Sequence, residues 1–260
     1  MAKSQSNFIQ SVDRALQILE CFSKKNTELG VSQITNLLGL HKSTTFGLMA
    51  TLENRGYLKQ NTENSKYRLG MKLFELGKTV EDDMNLKESS HHYLKELVDK
   101  YQETAHLAVL DGNEILYIDK VEGEQAIRMN SQVGKRRPLY CTGVGKAILA
   151  FMSEDKVARI LSNIDFCKYT SHTITELQGL QEELCNIRKE GYCIDDEEIE
   201  VGLNCVAAPI IDFNGEAIAS ISIAGPTIRM TQKKSNFIAK DIKEIAAKIS
   251  ETLGYKKLLP

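Results

Sequence analysis

The segment VSQITNLLGLHKSTTFGLMATLENRGYLKQNTENSKYRLG, residues 31–70, decides the fold of the first part of the chain. Apolar residues at helical spacing, with Ser32 as the expected N-cap, predict a short helix that Gly39 ends. A second helix is expected over about Lys42–Arg55. Its core face is formed by four apolar residues: Phe46, Leu48, Met49 and Leu52. Two helices joined by a tight glycine turn are typical of a helix-turn-helix.

The first turn of that second helix reads Lys42, Ser43, Thr44 and Thr45. A lysine and short hydroxyl side chains at a helix N-terminus suit a DNA groove, because the amides favour phosphate and the hydroxyls reach bases or the sugar-phosphate backbone. The alternative is an ordinary solvated, capped helix start.

A β-hairpin is predicted after the helices. The strands are Gly56–Gln60 and Lys66–Leu69, joined by a polar turn at Asn61–Ser65. Such a hairpin is a wing, and Lys66 and Arg68 would place positive charge on it. Simple surface charge is the alternative, but the order of three helices and a wing favours contact with DNA.

Helices are also predicted on either side of this segment. The preceding helix covers about Ser11–Cys21, with an apolar face of Val12, Ala15, Leu16, Leu19 and Phe22. After Met71, apolar residues recur every three or four positions, which indicates a rigid, amphipathic linker helix. It would pair with its twin in a dimer or pack on its own second domain.

Charge is divided unevenly along the 260 residues. Residues 1–70 hold nine Lys/Arg and five Asp/Glu, whereas the rest hold 24 and 30. The net positive charge of residues 1–70 favours contact with phosphates, whereas the net negative charge of the rest does not. There is no apolar run of the roughly 20 residues that span a bilayer, and no secretion signal. We therefore expect a cytoplasmic protein without membrane contact.

The second part of the chain predicts an antiparallel sheet covered by helices, an α+β domain. Asp111-Gly112-Asn113 joins His106–Leu110 to Ile115–Val121, and Ala126–Asn130 is expected to be a third strand. A second hairpin joins Cys205–Asp212 to Ala217–Ala224 through Asn214-Gly215. Four helices are expected: Gly145–Met152, Ser153–Asn163, Leu177–Lys189 and Thr231–Leu253.

The second hairpin predicts which side chains share a face. If Asn214-Gly215 is a two-residue turn, Cys205 lies opposite Ala224 and Ala207 lies opposite Ser222. This small, mildly polar face leaves room for a ligand or permits the close approach of a helix. The other face is apolar and is predicted to be core.

Two further segments bear on chemistry. Residues 138–147, PLYCTGVGKA, superficially resemble a phosphate-binding loop, but Tyr140 and Ala147 stand where that motif needs Gly and Ser/Thr. What remains is a helix start flanked by glycines, which either binds a carboxylate through its free N–H groups or allows close packing. The acidic run Asp195–Glu198 is expected to be solvated. The six cysteines form no CxxC pair and no zinc spacing, so reduced thiols and neither metal nor cofactor are expected.

These motifs resemble those of one family. The winged head, RRPLYCTGVGKAILA (136–150) and GYCIDDEEIEVGLNCVAAPIIDFNGEAIASISIAGP (191–226) are similar to the IclR family of bacterial regulators. The resemblance implies a winged helix-turn-helix over 1–70, a linker helix over 71–88 and a GAF-like effector domain over 89–260. Within the family, the chain is most similar to the KdgR branch, which responds to 2-keto-3-deoxygluconate.

The resemblance also implies an effector site. Its residues in this chain are Met129, Gly143, Val144, Asp195, Cys205, Ser222 and Ala224. Ala224 replaces a serine seen in some members, and Gly47 in the recognition helix replaces a frequent arginine. Arg128 is a further candidate for clamping a carboxylate, with an ordinary ion pair as its alternative.

The resulting interpretation is a DNA-binding repressor controlled by a small keto acid or sugar acid. Its expected partners are double-stranded operator DNA, the acid, and further copies of the chain in a dimer or a dimer of dimers. One alternative is an activator that responds to another carboxylate. The other is an enzyme acting on a small acid, which the lack of a catalytic constellation disfavours.

Overall fold

The computed structural model describes residues 9–23, 25–83, 85–127, 129 and 131–255, and the side chains of these residues except 80–83 and 85. The chain divides into two compact units, Met1–Met84 and Asn85–Pro260. Within the described residues, no helix is both long enough and apolar enough to cross a membrane.

The first unit contains the predicted helices and wing. Its elements are α1 (Gln10–Glu20), α2 (Val31–Leu38), α3 (Lys42–Asn54), β1 (Leu58–Gln60), β2 (Tyr67–Leu69) and α4 (Met71–Asp83). The two strands are antiparallel, with Lys59 opposite Arg68. The prediction of a helix-turn-helix followed by a hairpin is confirmed.

The turn between α2 and α3 depends on Gly39, whose φ of 63° lies in the left-handed region that favours glycine. The prediction of Ser32 as the N-cap of α2 is wrong, because Gly30 holds that position. The Gly30 N–H donates to the side chain of Gln33 at 2.9 Å. A side chain three residues into the helix therefore caps the start that a serine was expected to cap.

The core of this unit differs in part from the predicted one. Phe46 is 57% exposed, and Val12 and Leu16 are each 54% exposed, so their assignment to core faces is wrong. Ile18 and Thr45 are fully buried instead. The buried face of each helix is rotated relative to the predicted one, because several apolar faces were compatible with the helical period.

The second unit is the predicted α+β domain. Its elements are α5 (Asn85–Tyr101), β3 (Thr104–Asp111), β4 (Glu114–Val121), β5 (Arg136–Pro138), α6 (Gly143–Ala150), α7 (Glu154–Leu161), α8 (Leu177–Glu190), β6 (Cys193–Asp196), β7 (Leu203–Ile211), β8 (Ala217–Pro226) and α9 (Gln232–Thr252). The six strands form one antiparallel sheet in the order β5-β4-β3-β8-β7-β6.

The third predicted strand is misplaced. Residues 126, 127 and 129 are not in a strand, and Arg128 and Asn130 lie outside the described residues. The second strand that pairs with β4 is β5, which begins ten residues after the start of the expected segment. Its short length, three residues, leaves little periodic signal in the sequence.

The register predicted for the β7–β8 hairpin is confirmed, whereas its turn is not the expected one. Cys205 lies opposite Ala224, and Ala207 lies opposite Ser222. A bulge follows Ile210, and the Gly215 N–H donates to the Asp212 carbonyl at 3.0 Å. Gly215 has a φ of 81°, so the loop is a turn followed by a left-handed glycine.

The two faces of the sheet are covered by different helices. Helix α9 packs on β7 and β8, and the Ser250 hydroxyl accepts a hydrogen bond from the Ile211 N–H at 2.9 Å. Helix α6 packs on β6, β7 and β8 with Val144, Ala147 and Ile148 buried. These α6 residues belong to the same apolar cluster as Cys205 and Ala207, so α6 covers the face that carries the predicted effector residues.

Candidate functional site

The start of α6 is built from a threonine cap and a packed glycine. The Thr142 hydroxyl donates to the Pro138 carbonyl at 2.9 Å and accepts from the Gly145 N–H at 3.3 Å. A Cβ on Gly145 would lie 2.1 Å from the Leu139 carbonyl oxygen, so no side chain fits there. Close packing, the alternative reading of these glycines, therefore applies to Gly145.

Gly143 brings α6 against two of the predicted effector residues. A Cβ on Gly143 would lie 3.1 Å from the Cys205 Sγ and 3.4 Å from the Asp195 Cβ. The N–H of Glu198 donates to the Asp195 carboxyl at 3.0 Å, and the Gly143 N–H is close enough to help lower the pKa of that carboxyl. A carboxyl group of the protein itself therefore lies beside this helix start.

Asp195 is buried, and this changes its ionisation. Burial is the main reason that its pKa rises from 3.8 to about 7. The nearby Lys146 cation opposes this rise, whereas the Glu198 carboxylate adds to it. Asp195 thus exchanges its proton near neutral pH.

The expectation that the acidic run is solvated is wrong for two of its four residues. Asp195 and Glu198 are each 5% exposed, and Glu198 forms a salt bridge with the fully buried Lys146. A second carboxylate, from Glu183 on α8, lies 3.3 Å from the Lys146 ammonium. The carboxylates are buried because a cation in the apolar helix α6 requires a counter-charge.

The remaining effector candidates lie on the same face. Asp195 is opposite Cys205 across β6 and β7, and Cys205 is opposite Ala224. Burial raises the pKa of the Cys205 thiol, and the nearby Ser222 hydroxyl partly offsets that rise. Met129 packs, partly buried, against the apolar cluster of this face, and Arg128 lies outside the described residues. The structure thus brings together the predicted residues of the α6 start and of strands β6 to β8.

Val144 contributes a free donor to this group. Its side chain is buried, and its N–H forms no hydrogen bond within the described part of the chain. The small face allows the close approach of a helix, which is one of the two uses considered. Ala207 lies 3.5 Å from where a Gly143 Cβ would stand, so it permits close packing, while Val144 and Ser222 present polar groups beside that contact.

Several polar residues of this face were missed from the sequence. They are Lys146, Glu198 and His106. His106 lies opposite Ser222 on the neighbouring strand, and its Nε2 is 2.6 Å from the Ser131 hydroxyl. Burial lowers the pKa of His106 to about 3, so the ring is neutral. For Lys146 a signal existed: GVGKAILA carries one charge in an otherwise apolar helix, which implies a buried partner.

The predicted DNA-binding residues are mostly on the surface of the first unit. Lys42, Ser43, Lys66 and Arg68 are exposed, and Thr44 is partly buried. Thr45 is the exception, because it is fully buried and its hydroxyl donates to the His41 carbonyl at 3.2 Å. Its side chain stabilises the first turn of α3 and is unavailable to DNA, which corrects that prediction.

The wing turn is attached to the rest of its unit through one carboxylate. Glu28 accepts hydrogen bonds from Asn61 at 3.2 Å and from Asn64 at 2.9 Å. Lys66 and Arg68 also lie close enough to Glu28 to help lower its pKa, after the two asparagine side chains. The turn of the wing, which precedes Lys66 and Arg68, is therefore attached to the segment before α2.

Comparison with known proteins matches both units. A family described as the IclR helix-turn-helix domain matches residues 11–62, and one described as the bacterial transcriptional regulator IclR C-terminal domain matches residues 78–251. The second match alone covers more than half of the chain.

Curated relatives and solved structures agree with these matches. The chain is 37% identical to the HTH-type transcriptional regulator XynR of Escherichia coli, over 95% of this chain and 98% of that protein. It is 35% identical to KdgR of the same organism, over 96% and 95%. The crystal structure of Thermotoga maritima IclR is 37% identical, covers 95% of this chain and 100% of its own, and has a TM-score of 0.81.

Replacement of Asp195 should change how stability depends on pH. An unfolded chain releases this proton near pH 4 and the folded chain near pH 7, so Asp195 costs folding free energy as pH rises through that window. Asp195→Asn should therefore gain stability over the wild type at pH 8, by about 2–4 kcal/mol at about 1.4 kcal/mol per pKa unit, and gain little at pH 4. Thermal unfolding at both pH values measures this.

The matched control is Asp196→Asn, because Asp196 is the next residue along β6 and its side chain is 65% exposed. It should leave the pH dependence of the wild type unchanged. An Asp195→Asn protein with the same pH dependence as the wild type would contradict the assignment of a buried, late-titrating carboxyl.

Proposed function

From the premise that the chain belongs to the IclR family of bacterial transcriptional regulators, we propose that it is a repressor whose second unit binds a small keto acid or sugar acid. The chain is a DNA-binding regulator, and its named relatives are regulators rather than enzymes. Repression and the identity of the acid are the proposed parts. Because its target is operator DNA, we place the protein in the bacterial cytoplasm.

The observation that carries the effector proposal is the cluster at the start of α6. The free N–H of Val144, the Ser222 hydroxyl, the Cys205 thiol and the Asp195 carboxyl lie around one contact between helix and sheet. Hydrogen-bond donors beside a group that titrates near pH 7 can recognise the oxygens of an acid and of its carbonyl. Relatives named KdgR make 2-keto-3-deoxygluconate the first acid to test.

For the first unit, we propose that α3 enters the major groove and that the wing contacts the backbone. Lys42, Ser43 and Thr44 lie at the α3 N-terminus, where amides and a lysine favour phosphate. Lys66 and Arg68 would add phosphate contacts from the wing. Gly47 presents only backbone on the exposed side of α3, and a Cβ there would meet nothing within 4 Å.

We further propose that the protein acts as a dimer or a dimer of dimers. The first unit exposes large apolar side chains near and on α1 and on α4: Ile9, Val12, Leu16, Met71, Phe74 and Leu76. Exposed apolar surface of this kind favours pairing with a second copy. Two heads would then read two half-sites.

A second candidate is an activator that responds to a different carboxylate. It uses the same DNA surface and the same cluster at α6, and it differs in the sign of its effect on transcription. A reporter gene behind the bound operator separates the two, because deletion of the regulator raises expression for a repressor and lowers it for an activator.

Replacement of Lys42 should weaken binding to all DNA sequences alike. If Lys42 neutralises one phosphate, Lys42→Gln should reduce the slope of log affinity against log salt by about 1. Gel shifts on operator and unrelated DNA at several salt concentrations measure this. Lys156→Gln in the second unit is the control, because Lys156 is paired with Glu216. An unchanged slope in Lys42→Gln would exclude the phosphate contact.

Replacement of Ser222 should separate effector response from DNA binding. Ser222→Ala should bind operator as the wild type does, but need at least about tenfold more 2-keto-3-deoxygluconate for release, since a lost hydrogen bond to a charged ligand costs about 1.5–3 kcal/mol. Ser220→Ala is the matched control, because the Ser220 hydroxyl donates instead to the Ala208 carbonyl at 2.8 Å. Wild-type protein that stays on the operator at millimolar keto acid would refute the effector proposal.

A further inference from the structure

Two parts of this face are candidates for binding the carboxylate of an effector. The first is the start of α6, where acidic groups of the protein already lie. At the start of α6, the Asp195 carboxyl lies beside Gly143 and accepts a hydrogen bond from the Glu198 N–H. The buried Glu198 carboxylate also lies near that group. A carboxylate from a ligand would have to displace Asp195 or lie against two acidic groups, which low-dielectric surroundings penalise.

Tyr117 provides an unused polar group on the same face of the sheet. It lies opposite Ala108 on β3, its ring centroid is 4.9 Å from that of His106, and it belongs to the apolar cluster of Cys205. The side chain is 5% exposed, yet its hydroxyl forms no hydrogen bond with any described residue. The hydroxyl itself is not fully enclosed, so it is available to a ligand as a donor or an acceptor.

Arg137 provides an unused cation beside Tyr117. It lies opposite Ile115, which places it on the face that carries Tyr117 and α6, and it is partly buried. Its side chain forms neither an ion pair nor a hydrogen bond with any described residue. Its charge nevertheless acts on Tyr117, because the Arg137 guanidinium partly offsets the rise in the pKa of that phenol, which burial causes.

The neighbouring arginine shows how the other side of this strand differs. Arg136 lies opposite Leu116 on the outward side of β5, and it forms a salt bridge with Asp111. The charge on that side is already neutralised. Only the inward-facing arginine of the pair is available to a ligand.

Tyr117 also links this cation to the α6 cluster. Burial is the main cause of the raised pKa of Tyr117, and Cys205, Arg137 and Asp195 are all close enough to act on it. Strand β3 separates β4, which carries Tyr117, from β8, which carries Ser222, so these strands are about 10 Å apart. A ligand that reaches both groups is longer than a two-carbon acid.

We propose, resting on the effector function above, that the effector's carboxylate binds Arg137 and Tyr117, and that its keto and hydroxyl oxygens reach Ser222 and the Val144 N–H. The effector is then a hydroxylated keto acid of about six carbons in an extended form. Arg137 selects for the acid group, and the α6 cluster selects for the oxygens at the other end of the chain.

Isothermal titration of 2-keto-3-deoxygluconate into the full-length protein tests this assignment. The variants are Arg137→Gln, Arg137→Lys, Tyr117→Phe and the control Arg136→Gln. Loss of a charge-assisted contact should raise Kd at least about tenfold in Arg137→Gln. Lysine should restore part of the affinity, because it keeps the charge without the planar fork. Tyr117→Phe should weaken binding severalfold, and Arg136→Gln should bind as the wild type does.

The outcomes separate this proposal from the effector function. Wild-type binding with Kd unchanged within twofold in both Arg137→Gln and Tyr117→Phe overturns the carboxylate assignment and leaves the effector function standing. Equal losses in Arg136→Gln and Arg137→Gln also overturn it, since a general charge effect then explains both. If the wild type binds neither 2-keto-3-deoxygluconate nor the smaller keto acid pyruvate, both proposals are overturned. Thermal unfolding of each variant establishes that it is folded.

Discussion

The structure of the second unit depends on one buried cation, Lys146, in the middle of the short helix α6. Its side chain is 1% exposed, and it is stable there because Glu198 forms a salt bridge with it. Removing an ammonium from water costs several kcal/mol, which only a close carboxylate offsets. Helix α6 is thereby attached to the segment that follows β6, and the packing around it follows from that attachment. Gly145 lets the helix start approach Leu139, and Gly143 lets it approach Cys205.

This attachment also decides what the start of α6 can bind. An empty helix N-terminus is a site for anions, but here the Asp195 carboxyl lies beside Gly143 at that terminus. What remains for a ligand is a free amide, a thiol, a hydroxyl and a carboxyl that titrates near pH 7. A ligand that changes the ionisation of Asp195 alters the contact between α6 and β6. Its effect on DNA binding equals the difference between its affinities for the two states of the protein.

The sequence predicted most of the architecture, because the signals it used are local or repeat along the chain. The helix-turn-helix, the wing and the register of β7 with β8 follow from periodicity and from glycine turns. Ser32 and Phe46 were misassigned because several positions were compatible with the same local pattern. The segment 126–130 was expected to be a strand because short strands differ little from extended loops in sequence.

The candidate site was predictable only in part. Asp195, Cys205 and Ser222 were found through motif resemblance, and register independently related Cys205 to Ala224. The salt bridge between Lys146 and Glu198 could not be predicted by spacing, since its partners are separated by 52 positions and by three other elements. Arg137 and Tyr117 look ordinary in sequence, and their significance depends on the absence of partners among the described residues.

The central claim is that Lys146 and Glu198 act as one unit, and a double-mutant cycle tests it most directly. Urea unfolding of the wild type, Lys146→Met, Glu198→Gln and the double variant gives the four free energies of unfolding. We predict that each single variant loses about 3–5 kcal/mol and that the double variant loses at least about 2 kcal/mol less than the sum of the single losses. Losses that add to within about 0.5 kcal/mol would contradict the claim.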